Sequence, residues 1–378
     1  MPILIIWVLL ILFGVLAIYS VSIYQSFALT LSKIAEWVMS WEASNYFYFL
    51  KQLKNIWIAF LVAIFVYRIP IKIFQNNRNV NIIAIAILVL QIAVFIPWVG
   101  IVLNGARWWI DIAWLPSIQP SEFFKLGYVI FLANRLLRKR NSVNKKEFLI
   151  NFVVLNAMLF IIFLLIPDLG TILILWLTWL VMAWYAWLKL KKVVGIFVAG
   201  VLGALIVWLS ASMISSRFAY IQQRFTYFIN SDIDPQKKGI WRQNEQALIA
   251  IWWWWFWWKW YGKWLQKFGF IPEAQSDFVF AALSEELGFV WNMALLWLYF
   301  YLAFYFLRNL SKVKDDYHKT LWVGLISLIM IQAFINIWVN IKILPNTWLT
   351  LPFISYWWTA IMVNLIEIIL LYKIIKRQ

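Results

Sequence analysis

The stretch Ile271-Pro272-Glu273-Ala274-Gln275-Ser276-Asp277-Phe278, followed by Ser284-Glu285-Glu286-Leu287-Gly288, gathers carboxylates at the edge of an apolar run. A carboxylate held beside apolar walls can act as a general base, taking the proton from a hydroxyl as its oxygen attacks. Asp277 also stands where a helix N-cap would stand, and carboxylates at a membrane surface can simply be solvated, so three readings are open. A second group is Gln119-Pro120-Ser121-Glu122-Phe123-Phe124-Lys125. Proline suits the first turn of a helix, where its missing N–H costs nothing. Glu122 and Lys125 then lie three residues apart on one face, close enough to pair. Such a pair either only locks helices together or marks a functional site, since ionisable residues at membrane depth are costly. The third group, Ile166-Pro167-Asp168-Leu169-Gly170-Thr171, puts Asp168 at a turn where it can cap the next helix. The chain has no cysteine and a single histidine, His318, in a charged inter-helix loop. Disulfides, thiolate chemistry, a histidine-based triad and a multi-histidine metal site are thereby set aside.

These residues must be positioned by helices in lipid. Hydrophobic residues make up 65% of the 378 positions and charged ones 13%, against about 45–50% and 25% in soluble domains. Apolar windows of about 20 residues predict an all-α integral membrane protein of about ten transmembrane helices, at 3–24, 53–68, 80–100, 120–137, 148–166, 171–187, 193–212, 280–305, 319–340 and 352–373. The first lacks a basic leader and is kept as a span. The net charge of +17 sits in short clusters between apolar runs, as at an anionic leaflet rather than on nucleic acid. With the N-terminus inside, nineteen basic residues fall on inner loops, among them Arg138, Lys139 and Arg140, and Lys189, Lys191 and Lys192. The short outer segments hold only Lys33, Lys51, Lys54 and Arg107. Both termini are therefore expected in the cytoplasm. One large outer loop, about 213–279, joins the seventh and eighth helices and is expected to be partly structured. A smaller, amphipathic outer segment from Ile101 to Gln119 leads into the fourth helix.

Taken in order, these segments resemble the SEDS family of peptidoglycan glycosyltransferases along nearly the whole chain, closest to its cell-division branch. The matching stretches are Val102-Leu103-Asn104-Gly105-Ala106-Arg107 with Trp109-Ile110, the Gln119 to Lys125 and Pro167 to Thr171 groups, and Gln246 to Ile251. Then come Gln266-Lys267-Phe268, the Pro272 to Phe278 stretch, Glu285 to Gly288, Leu344-Pro345 and Leu349-Thr350-Leu351-Pro352-Phe353-Ile354-Ser355-Tyr356. The resemblance implies a single membrane domain over 1–378 that polymerises the disaccharide of lipid II at the outer leaflet of the inner membrane. It implies Asp277 as the essential acid. Arg107 and Lys125 become cationic partners of the diphosphate, with Glu122 holding Lys125, and Asp168, Gln246, Glu273 and Ser355 are further candidate substrate contacts. It implies a class B penicillin-binding transpeptidase and other division proteins as partners alongside membrane lipid, and leaves room for a divalent cation, Mg or Mn. The Thr350-Leu351-Pro352 pattern favours the division branch over the elongation branch. A lipid II flippase and a non-catalytic division scaffold are the competing functions. Gln275 departs from the family, which usually has histidine there; an amide keeps a hydrogen bond but cannot titrate.

A second departure is systematic. Tryptophan occurs 29 times and glycine 13 times, and tryptophan stands where the family has glycine at positions 98, 252, 254, 255, 258, 260, 291, 338, 348, 357 and 358. Glycine serves positive φ or close backbone approach, and an indole suits neither. Two accounts are open: an aromatic interface belt, or a UGA codon that the source organism decodes as glycine. The second is the expectation, with Trp7, Trp57, Trp187 and Trp322 as further candidates and Trp109 as a genuine family tryptophan.

Overall fold

The computed structural model describes residues 2–36, 42–103, 106–111, 117–138, 146, 150, 153–154, 156, 161–163, 166, 168–186, 188–214, 226, 228, 240–252 and 274–376. Its helices are α1 (Pro2–Val21), α2 (Ile23–Ala35), α3 (Phe47–Arg68), α4 (Asn77–Ile92), α5 (Pro120–Arg138), α6 (Leu169–Tyr185), α7 (Leu190–Ile214), α8 (Ile240–Trp252), α9 (Val279–Leu310), α10 (Asp316–Asn340) and α11 (Trp358–Lys376). Nine of the ten expected spans each hold one of these helices; in the tenth, 150, 153–154, 156 and 161–163 are helical and Ile166 is in a turn.

Lipid is the solvent that explains the side-chain pattern. Ile5, Leu16, Phe65, Ile85, Val290 and Phe300 face outward, while Ser20, Ser26, Gln52, Asn55, Gln91 and Asn134 are buried. Hydrocarbon offers no partner to a polar group, so each unsatisfied one costs several kcal/mol and polar side chains turn inward. Among the described residues six helices are long and apolar enough to cross a bilayer: Leu4–Val21, Phe47–Arg68, Asn77–Phe95, Val279–Leu310, Asp316–Asn340 and Trp358–Lys376. Helix α5 carries Glu122, Lys125, Arg135 and Arg138 and is enclosed along most of its length, so its apolar demand is lower.

The chain divides into two compact units. Unit 1 comprises Met1–Val62, Gln223–Tyr305 and Gln332–Asn364; unit 2 comprises Ala63–Gln222, Phe306–Ile331 and Leu365–Gln378.

Three expected boundaries move, each for a local reason. The third span ends early: α4 stops at Ile92, a 3-10 turn covers Ala93–Phe95, and Pro97 follows. The amphipathic outer segment is a β-hairpin, β1 (Gly100–Leu103) paired antiparallel with β2 (Ala106–Ile110), extended by a bridge from Ile110 to Ile118. The last span starts at Trp358 rather than Pro352, because the preceding donors are committed elsewhere. Leu351 N–H donates to Ser355 Oγ at 2.7 Å, and Tyr356 N–H to the Gln275 carbonyl at 2.9 Å. Helix α9 is interrupted at Gly288, whose φ of 71° and ψ of −170° lie outside any helix. Only glycine adopts that region readily.

Candidate functional site

The Asp277 group lies in unit 1. Ala247 and Ala250 of α8 form one apolar cluster with Ala274, Phe278, Ala281, Ala282 and Val21. Alanine at these positions keeps the packed backbones close. The helix that bears Gln246 thus lies against the turn that bears Asp277. From Ala274 to Phe280 every residue is buried except Asp277, which is partly exposed. Glu285 and Glu286 are also buried, and Ser20 Oγ donates to Glu286 Oε1, so these two carboxylates are not simply solvated.

Helix α10 holds the Asp277 backbone. Asn336 Nδ2 donates to the Asp277 carbonyl at 2.9 Å and to the Leu349 carbonyl at 2.5 Å. Asn340 Nδ2 donates to the same Asp277 carbonyl at 3.0 Å, while its Oδ1 accepts the Ala281 N–H at 3.1 Å. The first N–H groups of a helix have no intrahelical partner, so Asn340 caps α9 from a neighbouring helix. Ser355 is buried and its hydroxyl closes the turn beginning at Leu351. Glu273 lies outside the described residues.

Unit 2 holds the other predicted residues. Glu122 and Lys125 pair as their spacing predicts, Nζ to Oε2 at 2.9 Å, with Lys125 only 1% exposed. Asp168 accepts the Thr171 N–H at 2.9 Å and the Thr171 hydroxyl at 2.7 Å, the capping arrangement. Burial pushes the Asp168 carboxyl up, opposed by the Thr171 bonds and by the Lys125 charge. Arg107, on β2, is partly exposed and donates to the Phe95 carbonyl at 3.2 Å. Its neighbour Trp108 fixes the hairpin by donating Nε1–H to the Ile166 carbonyl at 2.7 Å, over the cluster of Val94, Ile110 and Ile166.

Sequence reasoning passed over three residues. Glu367, buried on α11, lies within electrostatic reach of Lys125 and Glu122. A lone ionisable residue inside an apolar span was the available signal. Asn336 and Asn340 carried a fainter one, two amides four apart on a single face of a span. Among the described residues no three or more histidines, aspartates or glutamates are grouped together.

The tryptophans divide by conformation. Trp98 has φ of 75° and Trp348 φ of 51°. Trp322, expected among the glycine positions, differs: its buried indole donates to the Phe306 carbonyl at 3.2 Å and meets the Phe306 ring edge-on. Its side chain is in use, and it is set apart from the glycine group.

The model of the FtsW/RodA/SpoVE family of cell cycle proteins matches residues 1–378. The chain belongs to this family. It is 32% identical over 371 residues to the probable peptidoglycan glycosyltransferase FtsW of Nitrosomonas europaea, covering 96% of this chain and 88% of that protein. It is 33% identical over 356 residues to the stage V sporulation protein E of Bacillus subtilis, covering 93% and 90%. The fold is also that of solved structures. A chain from a peptidoglycan synthase complex superposes with TM-score 0.74 at 22% identity, covering 98% of this chain and 96% of that one. The rod shape-determining protein RodA of Thermus thermophilus gives 0.67 at 20%, covering 99% and 96%. The family match runs through both groups of site residues, and the chain is a multi-pass membrane protein of the FtsW/RodA/SpoVE family.

Proposed function

We propose that this family member is a peptidoglycan glycosyltransferase of the cell-division type, polymerising lipid II into glycan strands with Asp277 as the general base. The observation that carries the base assignment is the exposure of Asp277 alone within an otherwise buried run. A carboxylate in that setting keeps access to substrate while its backbone is held. Asp277 takes the proton of the acceptor sugar hydroxyl as that oxygen bonds to the anomeric carbon of the donor. The bond from that carbon to the diphosphate oxygen breaks, and the lipid diphosphate leaves with the electron pair. Gln275 does not titrate, so Asp277 is the proton acceptor on this turn.

Arg107 is partly exposed and is the cation proposed for the departing diphosphate, where charge develops. Lys125, buried and paired with Glu122 on the same helix, is the second cation proposed for the diphosphate. Gln246 and Glu273 are proposed sugar contacts. The proposed setting is the bacterial inner membrane with both termini cytoplasmic, and the proposed partners are a class B penicillin-binding transpeptidase and other division proteins.

Purified chain incubated with lipid II and assayed for glycan strands tests the reading. Strands from the parent and none from Asp277→Asn are expected. Lipid II translocation by a parent chain that makes no strands would sink the enzyme in favour of a flippase.

A further inference from the structure

We infer that Asn336 and Asn340 are positioning residues for Asp277, a role that rests on the base assignment proposed above. The two amides lie one helical turn apart on the same face of α10, both fully buried, and both donate to the single carbonyl of Asp277. Each also holds a second element. Asn336 ties the Leu349 carbonyl in the segment before α11, and Asn340 takes the free Ala281 N–H in the first turn of α9. The Asp277 backbone is thus fixed on both sides, by the helix it precedes and by the loop packed beside it. Asn340 also donates to the Asn336 carbonyl at 2.9 Å, which keeps the two amides in register. Fixing a carbonyl fixes its peptide plane and, with the helix that follows, restricts the rotation about Cα–C that aims the adjoining Cα–Cβ bond. The clamp grips the main chain of Asp277, whose side chain is partly exposed.

The test is steady-state polymerisation by full-length chain carrying Asn336→Asp, Asn340→Asp or Asn340→Ala, alone and combined with Asp277→Ala. Each single variant is expected to lower kcat about 10- to 100-fold, as displacement of a catalytic group does, with KM for lipid II unchanged. None is expected to lower the residual activity of Asp277→Ala further, because residues acting as one unit are not additive. Wild-type kcat in folded Asn variants, beside an inactive Asp277→Ala, overturns the clamp and spares the base. Full activity of Asp277→Ala overturns both. Where an Asn336 variant fails to fold, Asn340→Ala, which deletes one arm only, carries the test.

A separate observation supports a second inference: we infer that positions 98 and 348 are glycine in the native polypeptide, encoded by UGA. Among the described residues four non-glycine residues have positive φ, namely Trp98, Lys342, Trp348 and Phe353. Two of the four are tryptophan, although only 29 of the 378 residues are. A bulky residue in the left-handed region is an outlier that persists only where its surroundings hold it there. Trp98 is 100% exposed, so no side-chain packing holds it. Tandem mass spectrometry of the natively expressed protein reads both positions, in the tryptic peptides Asn79–Arg107 and Ile343–Lys373. Glycine at both is expected, with tryptophan kept at Trp108 and Trp322, whose indoles are engaged. Tryptophan at either 98 or 348, or a UGG codon at either, overturns the inference.

Discussion

The Lys125 ammonium lies 2.9 Å from the Glu122 carboxylate, and neither side chain reaches solvent. Removing one partner from such a pair leaves an uncompensated buried charge, whereas replacing both with neutral groups of similar size is close to neutral. Lys125→Met is expected to cost about 3–5 kcal/mol of stability, and the double variant Glu122→Gln, Lys125→Met to recover most of it. Thermal unfolding in detergent measures both. If the double variant is as unstable as the single one, the pair does more than neutralise itself.

Asp168 caps α6 through two bonds to Thr171. Asp168→Ala is expected to destabilise by about 0.5–2 kcal/mol, and Asp168→Asn, which keeps an acceptor oxygen, by less. The pH dependence has a definite sign. Burial raises this carboxyl in the folded state, so its protonated form favours folding. That contribution is complete below the ordinary carboxylate value and is lost as pH rises through the folded value. Relative to Asp168→Asn, the parent is expected to lose stability between acid and neutral pH, as melting temperatures across a pH series will reveal.

Gly288 interrupts α9 with a backbone that side chains avoid. Gly288→Ala is expected to cost about 1–3 kcal/mol, the range for a residue held in a sparsely populated region. An exposed helical glycine offers the contrast: Gly195 has open space where a Cβ would go, and Gly195→Ala is expected to be neutral or stabilising. Equal effects of the two substitutions in a thermal melt would contradict the kink.

Because the chain lacks cysteine, each introduced cysteine is a unique reporter of sidedness. Glu42→Cys, before α3, is expected to react with an impermeant maleimide on intact cells. Ser311→Cys, between α9 and α10, is expected to react only after permeabilisation. Both residues are exposed, so reactivity reports the side of the membrane rather than burial. The reverse pattern would place the termini outside.

Much of the architecture was legible in the chain before folding. The spans follow from apolar length, since a bilayer admits little else. The Glu122–Lys125 pair and the Asp168 cap were readable because both are local, one set by helical periodicity and the other by the reach of a carboxylate to the next turn. The hairpin at Gly100–Ile110 was not read, because short alternating runs are ambiguous without their partner strand. That Ser355 Oγ closes a turn was not readable, because it depends on a bond from the Leu351 N–H that only the folded loop creates.

Composition alone made this a membrane protein, and the order of its motifs made it a member of one family, because solvent and helix period act on neighbours in sequence. The surroundings of Asp277 belong to the other category. Its clamp joins residues separated by 59 and 63 positions, and its partial exposure depends on helices that pack from both earlier and later in the chain. Local pattern carries no information about which distant amide meets which carbonyl. Only the packed helices bring Asn336 and Asn340 to Asp277, and they do so because a buried amide in lipid must find its partner inside the protein.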